Sequence, residues 1–187
     1  KGQMGATWDS EPSKNLIMSV LVADFVTDIN QIFDINIVVS VSILQVLEDF
    51  SIPELSIKWP NDIMSYNKKI GGILIENSIK SDGSINSIVG LGLNVNQINF
   101  ENLPKASSLA IICKKAFDKE EILLKIIENL EENIQNWGQN SNLFWSEYTN
   151  TLFKKGVPMP FSDENLQILL EDDSISEFDI KEIQMLY

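Results

Sequence analysis

Two stretches, Lys69 to Ile79 and Ser84 to Asn94, flank Lys80-Ser81-Asp82-Gly83, and both carry glycines inside apolar runs. A turn-rich tetrapeptide between two strand-like runs predicts a β-hairpin. Glycine inside a strand weakens it and marks a bulge or a close backbone approach, so Gly71-Gly72 and the Gly90/Gly92 pair limit what the hairpin can be. Side chains alternate across a strand, which puts Gly90 and Gly92 on one face and leaves a smooth strip there. A ligand lying flat on the sheet needs that clearance. A tight packing contact, or a barrel-like bend in a core strand, explains it equally well.

The remaining segments give an α+β pattern. Leu16 to Val22 reads as a buried strand, and Leu55 to Trp59 as a short one ending in a Pro60-Asn61 turn. Ile35 to Phe50 is apolar and long; Gln45, Glu48 and Asp49 favour a helix despite its β-branched residues, and Ser51-Ile52-Pro53 stops it. Asp118 caps a helix with Glu121 three residues on, and Ile122, Ile126, Leu130, Ile134 and Trp137 repeat at helical spacing. A second helix over Leu143 to Lys154 follows Gly138 and an Asn/Ser cluster. Past Lys155-Gly156, Pro158 and Pro160 precede short strand-like pieces, Leu166 to Leu170 and Ser176 to Ile180. The expected division is a core over 1–155 and a small β domain over 156–187. So short a tail is too small to fold alone, so it docks on the core or is itself incomplete.

Composition removes several function classes. At 187 residues the chain buries one good core. A formal charge of −13, from 27 acidic and 14 basic residues, repels phosphate backbones and argues against nucleic acid as a partner. Histidine is absent, which excludes Ser-His-Asp and Cys-His catalysis and leaves a zinc site without its usual ligands. The single cysteine, Cys113, forms no intrachain disulfide, reads as structural and fits a reducing, cytoplasmic compartment. No uninterrupted apolar run reaches bilayer length, so no membrane is expected, and the first residues lack a signal-peptide core. The sequence starts at Lys1 rather than Met, which suggests a segment of a larger protein.

Chemistry must then run on lysines, carboxylates, amides and a bound metal. Lys58-Trp59-Pro60-Asn61-Asp62 breaks its strand at proline, and Asn61 and Asp62 sit where polar groups converge on a ligand. The plainer reading is a capped turn beside a solvated lysine. Lys69 opens the next strand and can neutralise a developing oxyanion as a point charge, unless it is an ordinary surface lysine beside Lys68. Asn94 ends the Gly90–Asn94 strand with a donor and an acceptor suited to a ribose or phosphate. Gly2, Gln3 and Gly5 form a loop whose amides suit an anion and which Trp8 could shield; an ordinary N-terminal loop has the same composition.

In this order the pieces resemble the biotin protein ligases (biotin–acetyl-CoA-carboxylase ligases, holocarboxylase synthetases) from residue 1 to the C-terminus. Lys1 to Trp8 is similar to the family's glycine-rich loop, and Ser10-Glu11-Pro12-Ser13-Lys14-Asn15-Leu16 to the segment after it. Lys58 to Asp62 is the family's lysine-Trp-Pro-Asn-Asp motif unchanged; Lys69 to Glu76, Gly90 to Asn96 and Pro104 to Leu109 continue the match. The resemblance implies a mixed sheet backed by helices, like the class II aminoacyl-tRNA synthetase core, and a small SH3-like C-terminal domain. It implies ATP and biotin as substrates, magnesium, biotinyl-AMP as intermediate, and the biotin carboxyl-carrier domain of a carboxylase as acceptor. It makes Lys69 the cation on the reacting oxygens, and Asp62 the base for the incoming lysine. Gly2, Gln3, Trp8, Gly72 and Gly90 would line biotin and its adenylate, and Lys58, Asn61, Asp62 and Asn94 the nucleotide. An exposed sheet edge suits a homodimer or the carrier domain. A lipoate-type ligase and a noncatalytic biotin- or carrier-binding module are the rivals.

The sequence departs from the family pattern at the loop, where Gln3 and Met4 stand at positions usually basic. A neutral residue holds an adenylate less tightly, so the Gln3→Arg substitution is expected to slow release of the intermediate. Equal retention by both proteins would refute this. The family's Ser/Thr-rich biotin-binding segment is not in the sequence, the tail is shorter than the family's near Asn165-Leu166, and no DNA-binding helix-turn-helix is seen.

Overall fold

A computed structural model of the chain describes residue 8, residues 10–82, 84–101 and 103–153, and the backbone of 165–169 and 175–179. Five strands form one sheet in the order β1-β5-β4-β3-β2: β1 (Leu16–Ala23), β2 (Leu55–Lys58), β3 (Asp62–Ser65), β4 (Lys68–Ile79) and β5 (Ile85–Leu93). All four pairings within this sheet are antiparallel; among the described residues parallel pairing enters at two isolated bridges, Ile57 to Leu152 and Lys69 to Ala106. The hairpin expected between β4 and β5 is present, with Gly71 opposite Leu93 at one end and Ile79 opposite Ile85 at the other.

Alternation on β5 shows which face is inside. Val89, Leu91 and Leu93 are buried, whereas Ile88, Gly90 and Gly92 lie on the opposite face. Helix α1 (Asp34–Asp49) covers the inner face; Ile35, Ile37, Val38, Val41, Ile43, Leu44 and Leu47 join the same core cluster as the strands. The segment Ile29–Asp49 is long and apolar enough to span a bilayer by length and composition, but here much of that apolarity goes into the core.

Helix α3 (Lys119–Asn150) packs on α1 through Ile122, Ile126, Leu130, Phe144 and Tyr148, all buried. Asp118 caps it as expected, its carboxylate accepting from the Glu120 and Glu121 amides. The two helices read from the sequence follow one another across a kink at Asn140 (φ −127°, ψ 15°), inside the polar cluster expected to separate them, and the second ends at Asn150. Trp137 stacks on Phe144 across the kink, with ring centroids 5.5 Å apart, packing the two helical parts together. Between the helices, Asn133 Nδ2 donates to Ser42 Oγ and Gln45 Oε1 (both 2.9 Å), fixing their relative register with satisfied polar groups.

Two short elements carry no clear pattern in the sequence: β3, and helix α2 (Leu109–Cys113), capped by Ser108 Oγ accepting from the Ile111 amide. Each is too short for periodicity to register. In the tail, β6 (Asn165–Leu169) and β7 (Ile175–Asp179) form a separate antiparallel pair. The expected domain boundary near residue 155 lies outside the described residues.

Candidate active site

Register builds the site. Across the outer face, Ile17 pairs with Gly92, Gly92 with Gly72, Gly72 with Asp62, and Asp62 with Lys58. One row through all five strands therefore runs from an apolar end, over two bare glycines, to a carboxylate and a lysine. Trp8 lies on the glycines. A Cβ on Gly92 would stand 2.7 Å from its Cε2, and one on Gly72 would stand 3.4 Å from its Cζ3.

Lys69 reaches this row because of a bulge. Ile63 pairs with Gly71 but Met64 with Lys69, so Ile70 is an extra residue in β4. Strict alternation would put Lys69 and Gly72 on opposite faces. Instead Ile70 and Gly71 are both buried, and Lys69 turns outward, with Nζ 3.5 Å from the position of a Gly72 Cβ. Gly71 lets the strand kink there: a Cβ would meet Gly92 O at 3.1 Å and Leu93 Cδ1 at 3.2 Å.

Asp62 joins two cations. Its Oδ1 is 2.5 Å from Lys69 Nζ and its Oδ2 3.8 Å from Lys58 Nζ. The Lys69 side chain is 38% exposed against 18% for Asp62 and 11% for Lys58, so Lys69 is the cation open to a ligand. Burial pushes the Lys58 ammonium below the usual lysine range; the Asp62 carboxylate opposes this, and Lys69 and Lys105 reinforce it. Lys69 Nζ also lies 5.9 Å from the Trp8 ring centroid.

The two asparagines are committed to the framework. Asn61 Nδ2 donates to Ile73 O (2.6 Å), and the Ile73 amide donates back to Asn61 O (2.8 Å), tying the Pro60 turn to β4. Asn94 is buried. Its Nδ2 donates to Ser107 O (3.0 Å) and its carbonyl accepts from the Leu109 amide, leaving Oδ1 buried without a partner among the described residues. Gly90 lies one row along, between Ser19 and Leu74, with ordinary room for a Cβ at 3.4 Å from Leu74 O. Gly2 and Gln3 lie outside the described residues.

Two contributors escape a reading of the sequence. Gly92 was visible only as Gly90's partner on the strip, and nothing local says which of them faces Gly72. Asn36 had no signal at all: from α1 its Nδ2 donates to Pro60 O (2.8 Å), and Ser40 Oγ holds its Oδ1 (3.1 Å). Behind the turn, Phe33 packs on Trp59 and edge-on to Tyr148, ring centroids 6.3 Å and 5.9 Å away. Tyr148 is fully buried, and its hydroxyl finds no partner among the described residues, so burial pushes its ionisation well above the usual tyrosine range. Tyr148→Phe removes an unpaired polar atom at constant shape, and is expected to raise stability by about 1 kcal/mol in urea unfolding. A loss of similar size would reveal a missed hydrogen bond.

Residues 1–94, which hold the whole row, match the model of the biotin/lipoate A/B protein ligase family. The chain belongs to that family. Among its curated relatives is the bifunctional ligase/repressor BirA of Bacillus subtilis, 26% identical over 156 residues, covering 79% of this chain and 48% of BirA. The biotin–[acetyl-CoA-carboxylase] ligase of Mycobacterium tuberculosis is 28% identical over 145 residues, covering 76% of this chain and 52% of that protein. The chain thus spans about half the length of these relatives. Among solved structures, the biotin protein ligase of Aquifex aeolicus in complex with biotin and ATP superposes with a TM-score of 0.77 at 27% identity, covering 95% of this chain and 80% of that one. The fold expected for a biotin protein ligase catalytic core, a sheet with helices, is the one observed.

Proposed function

We propose that this family member is an ATP-dependent biotin protein ligase. The observation that carries the proposal is the outer-face row, in which the Gly72/Gly92 strip runs directly into Asp62, with Lys69 turned onto the same face. Biotin's bicyclic ring would take the place that the Trp8 indole occupies over the bare backbone of Gly72 and Gly92, and its carboxylate would meet the cation at the end of the strip. The likeness to a ligase solved with biotin and ATP supports both assignments.

In the first step a biotin carboxylate oxygen bonds to the α-phosphorus of ATP, the bond from that phosphorus to the bridging oxygen breaks, and its electron pair leaves with pyrophosphate. Negative charge is concentrated on the transferring oxygens, and Lys69, the exposed cation, offsets it. Asp62 holds the Lys69 ammonium in place before substrate arrives, which lowers reorganisation. In the second step an acceptor lysine attacks the acyl carbon, AMP departs, and the lysine proton passes to a base, a role for which Asp62, on the same row as the glycine strip, is the candidate carboxylate. Trp8, with Gly2 and Gln3, would cover the adenylate. Lys58 is placed to act electrostatically on the nucleotide side, whereas Asn61 and Asn94 hold the backbone that shapes it.

Among the described residues no group of three metal-ligating side chains is assembled, and Asp62 is already shared between two lysines. Magnesium would therefore arrive on the nucleotide's own phosphates, as is usual for this ion, and no step above depends on protein ligands to it. The acceptor is a biotin carboxyl-carrier domain, the compartment cytoplasmic, and residues 156–187, with the β6–β7 pair, belong to an SH3-like domain following a core over 1–155. A homodimer would use the sheet edge at β1.

ATP–pyrophosphate exchange by the full-length polypeptide tests the proposal. Exchange that depends on biotin supports it; exchange with lipoate alone transfers the chemistry to a lipoate ligase; biotin binding without exchange leaves a binding module.

A further inference from the structure

Helix α1 is apolar along most of its length, and its interior polar side chains fall into two pairs. Ser42 and Gln45 accept from Asn133 Nδ2 of α3. Asn36 and Ser40, one turn apart, serve the turn between β2 and β3 instead. Ser40 is fully buried, and its Oγ donates to Asn36 Oδ1 (3.1 Å), which leaves Asn36 Nδ2 to donate to Pro60 O (2.8 Å). Ile35 and Ile37, on either side of Asn36, are 0% exposed, so this donor stands on a firmly packed part of the helix.

The bond to Pro60 completes a pair. Pro60 and Asn61 supply the two carbonyls ahead of Asp62, and each is held from a different layer. Asn36 reaches Pro60 O from the helix. The Ile73 amide reaches Asn61 O from β4 (2.8 Å), and Asn61 Nδ2 returns a bond to Ile73 O (2.6 Å). Both peptide groups are therefore fixed before Asp62 enters β3 opposite Lys58 and Gly72. Asp62 in turn holds Lys58 and Lys69, one with each carboxylate oxygen. A displacement of about 1 Å at the far end of such a chain is enough to cost a large factor in rate.

We propose that Asn36 is a positioning residue for adenylation: by holding Pro60 O it fixes Asp62, and through Asp62 the Lys69 ammonium. This rests on the adenylating reading of the site and extends it to a helix residue that touches no substrate.

Asn36→Leu and Asn36→Asp test this in the full-length polypeptide. The first removes the amide at similar volume; the second keeps the shape but sets an acceptor against Pro60 O. Each is expected to lower kcat for biotin-dependent ATP–pyrophosphate exchange by about 5- to 30-fold, with biotin affinity within about twofold and a cooperative thermal melt. Combined with Lys69→Ala, Asn36→Leu should lower the residual rate by less than about twofold, because the group it positions is gone. Wild-type turnover in both variants overturns the proposal. So does a loss that keeps its full size in the Lys69→Ala background, or one matched by an equal loss of biotin affinity. A readout without substrate separates this inference from the biotin reading: acetylation of Lys69 in the ligand-free protein, measured by mass spectrometry against exposed Lys80. Release of Lys69 from Asp62 should raise its labelling in both variants by about two- to fivefold, the worth of a partly exposed ion pair. If wild type shows no biotin-dependent exchange but the labelling still rises, the biotin reading fails and the positioning role stands. Unchanged labelling overturns the positioning role whatever the substrate.

Discussion

Lys69→Ala is expected to lower biotin-dependent ATP–pyrophosphate exchange by about 100- to 1,000-fold, the usual consequence of removing one preorganised group that stabilises transition-state charge. Lys69 is the most exposed member of the Lys58–Asp62–Lys69 group, and the bulge at Ile70 turns it onto the glycine face. Its loss leaves Asp62 with the more distant Lys58, at 3.8 Å, which is buried and has no comparable reach to a ligand. Biotin affinity should fall much less than the exchange rate, because the ring's bed on Gly72 and Gly92 is untouched. Lys69→Arg should not restore full activity, since a planar fork cannot reproduce a compact ammonium against Asp62. Exchange at the wild-type rate in Lys69→Ala would remove Lys69 from the chemistry; a loss of biotin binding as large as the loss of rate would recast it as a binding residue.

The second large effect separates two glycines that look alike in the sequence. Gly92→Ala is expected to weaken biotin binding by roughly 10- to 100-fold, corresponding to the 1–3 kcal/mol typical of overpacking, whereas Gly90→Ala should stay within about threefold. The added methyl at Gly92 would stand 2.7 Å from Trp8 Cε2, on the row that ends at Asp62. At Gly90 it meets Leu74 O at 3.4 Å and Ser19 Oγ at 4.0 Å, an ordinary contact on the neighbouring row. Titration of both variants with biotin, with thermal melts as a folding control, decides it. Equal losses would mean that the ligand lies across both rows; a loss at Gly90 alone would restore the assignment that the family resemblance implies.

Much of this architecture can be read from residue order. The β4–β5 hairpin follows from two glycine-bearing apolar runs around Lys80 to Gly83, α1 from its long apolar segment closed by Ser51-Ile52-Pro53, and the start of α3 from its Asp118 cap. Those are local signals of turn chemistry, length and capping. The break at Asn140 was legible too, from the polar cluster after Gly138, whereas the stacking of Trp137 on Phe144 across it was not, because it joins residues on two separate helical parts. The strand β3 went unrecognised because four residues after a proline turn carry too little pattern.

Sequence alone determined which groups the site contains: the Lys58–Asp62 motif, Lys69, and glycines on the two strands of a hairpin. Which of these meet was decided by tertiary structure. Pairing register selected Gly92 over Gly90 as the neighbour of Gly72, since residues two apart share a face and only the partner strand distinguishes them. A single inserted residue, Ile70, reversed the alternation and brought Lys69 to the face of Asp62. Asn36, from a helix with no chemical motif, reaches the site only through a hydrogen bond between segments far apart in the chain. Local sequence encodes backbone preference and side-chain chemistry; the distance between two charges depends on which backbone amides find which carbonyls.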